Sequence, residues 1–445
     1  MVKILIIGAG RSSTVLIDYL INLATKHNWF ITVADMDLAL ATSKVANRNS
    51  AQAIEFNIKN EEKRREILKE HDFVISMLPA FMHGDVAREC VEFGKHLATA
   101  SYVSNEIRAL DNEAKSKKLI LLNECGLDPG IDHASAMKII EEIKSKGGEI
   151  TSFKSYCGGL VAPESNNNPW GYKFSWNPRN VVLAGQGTAQ LLQNGELKFV
   201  AYNRLFKNTE TIEVDGFGKF DAYPNRDSVG YKSIYGLDYV KTMIRGTLRQ
   251  YGYCKAWDVF VALGLTDDTS KINDADKYTY TDLVNAFLPH SNNTVLEKLK
   301  ELMKGSWDNE IEKMLEYLEL FSNKKITLKE GTPAQLLQSL LEEKWKLNSN
   351  DKDLVVMQHL FEFKLPKDER MYQLNSSLAV VGKNSSETAM AITVGLPLAI
   401  TVKNFLEKKF SFSGVQIPIS KEIYEPLLAE LEVHNIKFHD KTKII

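Results

Sequence analysis

Gly8-Ala9-Gly10-Arg11-Ser12-Ser13 follows directly on an apolar run at residues 3–7. It opens a segment in which Val15, Leu16, Tyr19, Leu20 and Leu23 recur at helical spacing. Strand, glycine turn and helix in that order suit a pyrophosphate. The first glycine permits the turn, the second lets backbone approach the phosphates, and the helix start supplies N–H donors and a positive dipole end. Ser13 stands where a third glycine is usual, which loosens the strand–helix contact without blocking phosphate. A second run, residues 30–34, ends in Asp35, with Asp37 two residues on. A carboxylate there accepts hydrogen bonds from ribose hydroxyls and repels a 2′-phosphate, so NAD is expected as cofactor ahead of NADP. Asp37 is the better placed of the two to cap the helix beginning near Leu38.

Two other places carry groups that could bind or move protons. Asp128 precedes Pro129-Gly130, which keeps it out of helical conformation and lets its carboxylate project from a turn. A capping or turn aspartate would look the same. Residues 155–179 hold Tyr156, Trp170, Tyr172, Phe174 and Trp176, with Cys157 before a glycine pair and Glu164, Asn166, Asn167, Asn168, Lys173 and Arg179 among them. Aromatic walls with a few polar groups suit a small polar ligand, and long irregular stretches in compact domains are usually functional.

The elements that must position these groups follow the βαβ rhythm. Apolar runs at residues 73–78, 95–102 and 119–123 each follow a charge-bearing helical segment such as Glu61–Glu70. That alternation predicts a doubly wound parallel sheet, whose ligands bind beyond the carboxyl ends of its strands. Leu78-Pro79, Ser101-Tyr102 and Leu127-Asp128-Pro129 fall at or just after such ends, where a nicotinamide edge would lie.

At 445 residues the chain should divide into two or three domains. Hydrophobic residues at 44% and charged residues at 25% are ordinary, and no apolar run is read as long enough to span a bilayer. Lys+Arg 55 against Asp+Glu 57 leaves a net charge of −2, which gives no reason to expect nucleic acid or an anionic membrane as partner. Cys90, Cys125, Cys157 and Cys254 show no CxxC pairing and read as reduced thiols rather than metal ligands. The chain enters a strand at once, with no charged-then-apolar leader, so a cytoplasmic location is expected.

The motifs then become specific. GAG at 8–10, ASYVS at 100–104, GLDPGIDH at 126–133, SYCGGLVAPE at 155–164 and NNPWGYKFSW at 167–176 are followed by YPNRDS at 223–228 and IYG at 234–236. RGTLRQYGY at 245–253, TVGLP at 393–397 and SKEIYEPLL at 420–428 complete the set. In these pieces the sequence resembles the saccharopine reductase family, the glutamate-forming saccharopine dehydrogenases, most loosely over residues 265–350. The resemblance implies an α/β protein with three parts. Residues 1–125 with 386–445 would form a Rossmann dinucleotide domain. Residues 126–255 with 351–385 would form a substrate and dimerisation domain with a mixed sheet, and 256–350 a small all-α insert.

It also implies a reaction. The secondary amine of saccharopine loses hydride to the nicotinamide and the imine is hydrolysed to glutamate and 2-aminoadipate 6-semialdehyde, or the reverse. The amine must first lose a proton, and water must add to the imine, so proton carriers are needed. The resemblance places Tyr102, Asp128 and Cys157 in that role and lines the substrate site with Ser101, Tyr102, Asp128, Arg226, Thr247, Leu248 and Arg249. It extends the cofactor contacts from Gly8, Gly10, Arg11, Ser12, Ser13, Asp35, Leu78 and Pro79 to Val103 and Asn177. Saccharopine bears three carboxylates. Arg226 and Arg249 are the first candidates to bind them, and Arg179, Arg245 and Lys173 the second, because a guanidinium fork matches a carboxylate. A related amine dehydrogenase, such as carboxynorspermidine dehydrogenase, would not need both Arg226 and Arg249. A catalytically silent dinucleotide-binding regulator is a third reading.

Residues 353–363 and 372–381 read as strands returning to the middle sheet. Residues 387–406 read as an apolar helix broken near Gly395-Leu396-Pro397. An extended sheet with an open face predicts a homodimer.

Overall fold

The computed structural model describes every residue except Lys367 and Glu369. The chain forms two compact units. Met1–Glu149 and Leu378–His439 make the first, Ile150–Lys364 and Asp440–Ile445 the second, and residues between 364 and 378 are divided between them.

In the first unit six strands, β1 (Val2–Ile7), β2 (Trp29–Asp35), β3 (Ala51–Glu55), β4 (Phe73–Ser76), β5 (His96–Thr99) and β6 (Ile120–Leu122), are joined by a late strand, Gly414–Gln416. All pairs are parallel, in the order 414–416, β6, β5, β4, β1, β2, β3. The direction of winding reverses between β1 and β4, where a doubly wound sheet opens a crevice for ligand. β1 is apolar throughout because alternate residues enter different cores. Ile4 and Ile6 pack on one face with Leu16 and Leu20, and Leu5 and Ile7 on the other with Val86 and Leu97.

The helix Ala389–Leu406 is continuous through Gly395-Leu396-Pro397, where a break was expected. Gly395 serves packing instead. A Cβ there would lie 2.9 Å from the Ser12 carbonyl oxygen and 3.0 Å from the Leu16 nitrogen, so this helix lies directly on the chain entering the first helix, Thr14–His27. In length and composition Ala389–Leu406 could cross a bilayer, contrary to the reading that no run was long enough. Most of its residues are buried in this unit, and a helix covered on all sides is apolar all round.

The second unit is built on a mixed sheet. Its strands are β7 (Glu149–Val161), β8 (Ala189–Gln193), β9 (Glu196–Val200), β10 (Glu210–Val214), β11 (Gly218–Pro224), β12 (Thr242–Gln250), β13 (Asp353–Lys364) and β14 (Met371–Val381). The order is β10-β11-β12-β7-β13-β14 and then His439–Ile444, with the β8–β9 hairpin attached to β12. β10, β11 and β12 are antiparallel, whereas β12 runs parallel to β7.

Residues 155–179 are not one irregular loop. Their first seven residues finish β7, and Trp170, Tyr172 and Phe174 are core residues at 0–2% exposure. Trp170 stacks on Phe260 and donates its indole N–H to the Met314 carbonyl at 2.7 Å. The helices between Tyr253 and Lys344 pack into this same core through Trp257, Met314, Leu337 and their neighbours. Their starts are written in the sequence: Thr279, Thr294 and Thr332 each close a reciprocal capping box, the last with Pro333 in the first turn.

Candidate functional site

The glycine turn in the first unit has the form a pyrophosphate needs. Gly8 has φ +105°, and a Cβ there would sit 3.1 Å from the Met77 carbonyl oxygen, so both conformation and space require glycine. At Gly10 a Cβ would meet nothing within 4 Å, which leaves open room over the backbone at the start of the helix. These residues fit a dinucleotide. Ser13 does more than tolerate the missing glycine: it is buried, and its hydroxyl donates to the Gly10 carbonyl at 2.8 Å. Arg11 is exposed and Ser12 half-buried beside it.

Asp35 ends β2 and fastens this turn. One carboxylate oxygen accepts the Ala9 N–H at 2.6 Å and the other the Asp37 N–H at 2.9 Å. Asp37 caps the next helix through the Leu40 N–H at 3.0 Å.

The remaining rim residues come from the carboxyl ends of β4, β5 and β6. Leu78 and Pro79 follow β4, Ser101, Tyr102 and Val103 follow β5, and Leu127, Asp128 and Pro129 follow β6. The structure brings two of them together: the Tyr102 hydroxyl donates to the Asp128 carboxylate at 3.0 Å, with both side chains half-buried. Beneath them lies a pair that sequence reasoning missed. Glu124 is 3% exposed and held at φ 56°; its carboxylate accepts the Val103 N–H at 3.0 Å and lies 2.7 Å from His133 Nε2. The loop carrying Tyr102 is thereby tied to the helix Ile131–Ser145 that follows Asp128. The only sequence signal is a charged residue in an otherwise apolar strand exit. Asp132 sits inside the first turn of that helix and accepts the Gly130 N–H at 2.6 Å.

In the second unit, strand register assembles the other candidates. Thr247 on β12 pairs with Cys157 on β7 and with Tyr223 on β11. Alternation puts Arg245, Thr247 and Arg249 on one face of β12 and Leu248 on the other. Cys157 is 8% exposed. Arg249 is buried among Tyr172 and Tyr253, its guanidinium carbon 5.4 and 5.6 Å from their ring centres. It donates to the Leu248 carbonyl at 3.1 Å, its Nε has no partner, and it has no ion pair among the described residues. Burial pushes the hydroxyls of Tyr172, Tyr223 and Tyr253 up, so they are neutral beside it.

The other cations differ. Lys173 is paired with Asp351 at 2.7 Å, Arg179 is bound to Asp268, and Arg245 lies over the Tyr231 ring at 4.3 Å. Arg226 is exposed after β11 at φ 49°. Asn177 is exposed and caps the short helix Pro178–Val182 by accepting the Arg179 N–H at 2.9 Å.

Residues 4–122 match the saccharopine dehydrogenase NADP binding domain, and residues 126–436 the saccharopine dehydrogenase C-terminal domain. The chain belongs to the saccharopine dehydrogenase family. It is 34% identical to the saccharopine dehydrogenase [NADP(+), L-glutamate-forming] of Pyricularia oryzae, over 99% of this chain and 98% of the relative. It is 32% identical to the alpha-aminoadipic semialdehyde synthase of Mus musculus, a mitochondrial protein, covering 99% of this chain and 48% of that one. The solved apo saccharopine dehydrogenase (L-Glu forming) of Saccharomyces cerevisiae superposes with a TM-score of 0.89 at 31% identity, over the whole of both chains. The homospermidine synthase of Legionella pneumophila, at TM-score 0.56 and 10% identity, shares the fold.

These findings do not support the preference for NAD expected from Asp35, since the matched domain and the relatives are named for NADP. The physical reason is in the turn: both Asp35 oxygens accept backbone N–H groups, so this carboxylate shapes the glycine loop and does not by itself report on the ribose.

Proposed function

We propose that this protein is an NADP-dependent, L-glutamate-forming saccharopine dehydrogenase. It oxidises the secondary amine and hydrolyses the imine to L-glutamate and 2-aminoadipate 6-semialdehyde, or runs the reverse condensation and reduction. The observation that carries this reading is Arg249, a buried guanidinium with no carboxylate of its own among the described residues, in a protein whose full-length relatives bear that name. A buried charge left without a counter-ion is costly, and a ligand carboxylate relieves it.

NADP would lie over Gly8 and Gly10, where it supplies the hydride acceptor. Asp128 pairs with the substrate ammonium, and Tyr102, already bonded to it at 3.0 Å, steadies the carboxylate and can pass a proton. Arg249 takes one substrate carboxylate, with Thr247 and Cys157 beside it in register. Arg226 is the exposed second cation.

Purified protein mixed with saccharopine and either NADP+ or NAD+ tests this by reduced-nicotinamide absorbance and product identification. The expected result is glutamate and the semialdehyde, with NADP+ preferred. No turnover with either cofactor from neutral to alkaline pH would sink the reading, and dinucleotide binding without turnover would favour a silent regulator. Lysine and 2-oxoglutarate as products would mean that the other C–N bond is cleaved.

A further inference from the structure

We propose that His83 is a positioning residue that commits the Ser101 hydroxyl as hydrogen-bond donor to an sp2 oxygen of the bound ligand. His83 begins the helix His83–Phe93 and is 1% exposed. Its Nδ1 lies 2.9 Å from the Ser76 hydroxyl at the end of β4, and its Nε2 lies 2.8 Å from the Ser101 hydroxyl. Thr99 Oγ1 stands further from Nε2, at 3.3 Å, and already accepts the Ser101 N–H at 3.2 Å. Ser76 and Thr99 are both buried.

A neutral imidazole donates from one nitrogen and accepts at the other, so only two arrangements exist. If Nδ1 carries the hydrogen, Ser101 donates to Nε2 and Thr99 does not, because at 2.8 Å the Ser101 oxygen and a bare Nε2 need a hydrogen between them. The buried hydroxyl hydrogens of Ser76 and Thr99 then both lack an acceptor among the described residues. If Nε2 carries it, Ser76 donates to Nδ1 and Nε2 donates to Ser101, leaving only the Thr99 hydrogen, on the longer contact. Buried donors without acceptors cost free energy, so the second arrangement wins. Burial holds the imidazole down, at about 4, so it is neutral at working pH. Ser101 receives a hydrogen bond from His83, and its own hydrogen points outward from a half-buried position at the carboxyl rim of the sheet.

The acceptor that fits is a carboxylate or carboxamide oxygen. The dehydrogenase reading supplies two sources, a substrate carboxylate and the nicotinamide carboxamide, and the naming of the ligand rests on that reading. The hydrogen-bond polarity does not.

Nitrogen-15 NMR of the full-length protein labelled in histidine tests the wiring, with His83→Gln locating the signal by its loss. Nε2 protonated and Nδ1 bare is the expected pattern, and the reverse tautomer overturns the proposal. Activity supplies the second arm. Ser101→Ala and His83→Leu should each weaken the same quantity by about tenfold. The double variant should lose no more than Ser101→Ala alone, and His83→Gln, whose amide N–H can replace Nε2–H, should stay near wild type. Loss in NADPH affinity by fluorescence titration assigns the carboxamide. Loss in saccharopine KM assigns a carboxylate. Multiplying losses in the double variant, or no loss in either arm, overturns the proposal. Should His83→Leu fail to fold, His83→Gln and the tautomer still decide it. Should saccharopine not turn over at all, the dehydrogenase reading fails, while the tautomer and the NADPH titration remain decisive here.

Discussion

Among the described residues Arg249 has no ion pair, and that separates it from Lys173 and Arg179 of the same unit. Arg249→Met keeps the bulk and removes the charge. Saccharopine KM should rise about 100-fold, from the loss of hydrogen bonds between charged groups. Thermal stability without substrate should be unchanged or higher, because an unpaired buried charge has gone. A lower melting temperature with unaltered KM would mean that the guanidinium serves the core alone.

His83 gives a residue-scale prediction about acid. Its value in the folded state, about 4, lies below the ordinary 6.5, so between those pH values the unfolded chain binds the extra proton. Its contribution is complete above pH 6.5 and is lost as pH falls towards 4, by at most about 3 kcal/mol. His83→Gln should therefore flatten the fall in stability from pH 7 to 4.5, measured by urea unfolding. His71 and His96 shift in the same direction and are common to both proteins, so the difference isolates His83.

At the scale of elements, the glycine turn and the late helix are one construction. Gly395→Ala would set a methyl 2.9 Å from the Ser12 carbonyl and 3.0 Å from the Leu16 nitrogen, both backbone atoms that cannot swing away. Overpacking of this kind costs about 1–3 kcal/mol, and the displacement falls on Arg11–Ser13. The variant should lose stability in urea and bind NADPH several-fold more weakly. Unchanged NADPH affinity would show that the turn keeps its shape without the late helix.

Elements differ in how far they could be read in advance. The strand, turn and helix over residues 2–27 were legible because each signal lies within a few residues of the next. So was the helix start at Thr332, where a cap and its partner stand three apart; the earlier helix is capped by Thr279, two residues before Thr281, the start that its apolar run suggests. The helix at Ala389–Leu406 misled because glycine and proline are breakers in solvent, whereas here one is a contact point and the other is held in a packed core. The aromatic run after Cys157 misled in the opposite way: the rings that suggested an open wall are mostly core, since Trp170 and Phe174 meet helices far along the chain.

At the scale of the molecule, the sheet of the second unit ends on β10 and on His439–Ile444, whose six residues are all exposed. Leu197 and Phe199, alternate residues on β9, are 50% and 60% exposed. Uncovered edges and apolar side chains favour association with a second copy. Light scattering should give twice the chain mass of 50.2 kDa, and Phe199→Lys should shift that equilibrium towards the monomer. A monomer at all concentrations would refute the homodimer.

The sequence by itself determined the dinucleotide half, because phosphate recognition there is local: a strand, two glycines and a helix start, all within some ten residues. It also placed Tyr102 and Asp128 at or just after strand ends, whereas the strand that carries Cys157 was read as irregular. Only the tertiary structure decided which charges are available. Lys173 looks as free as Arg249 until Asp351, 178 residues on, is found 2.7 Å away. A charge is silenced or left open by neighbours within about 4 Å, and folding brings those neighbours from anywhere in the chain. The same holds for His83, whose tautomer is dictated by Ser76, Thr99 and Ser101 converging from the ends of two strands.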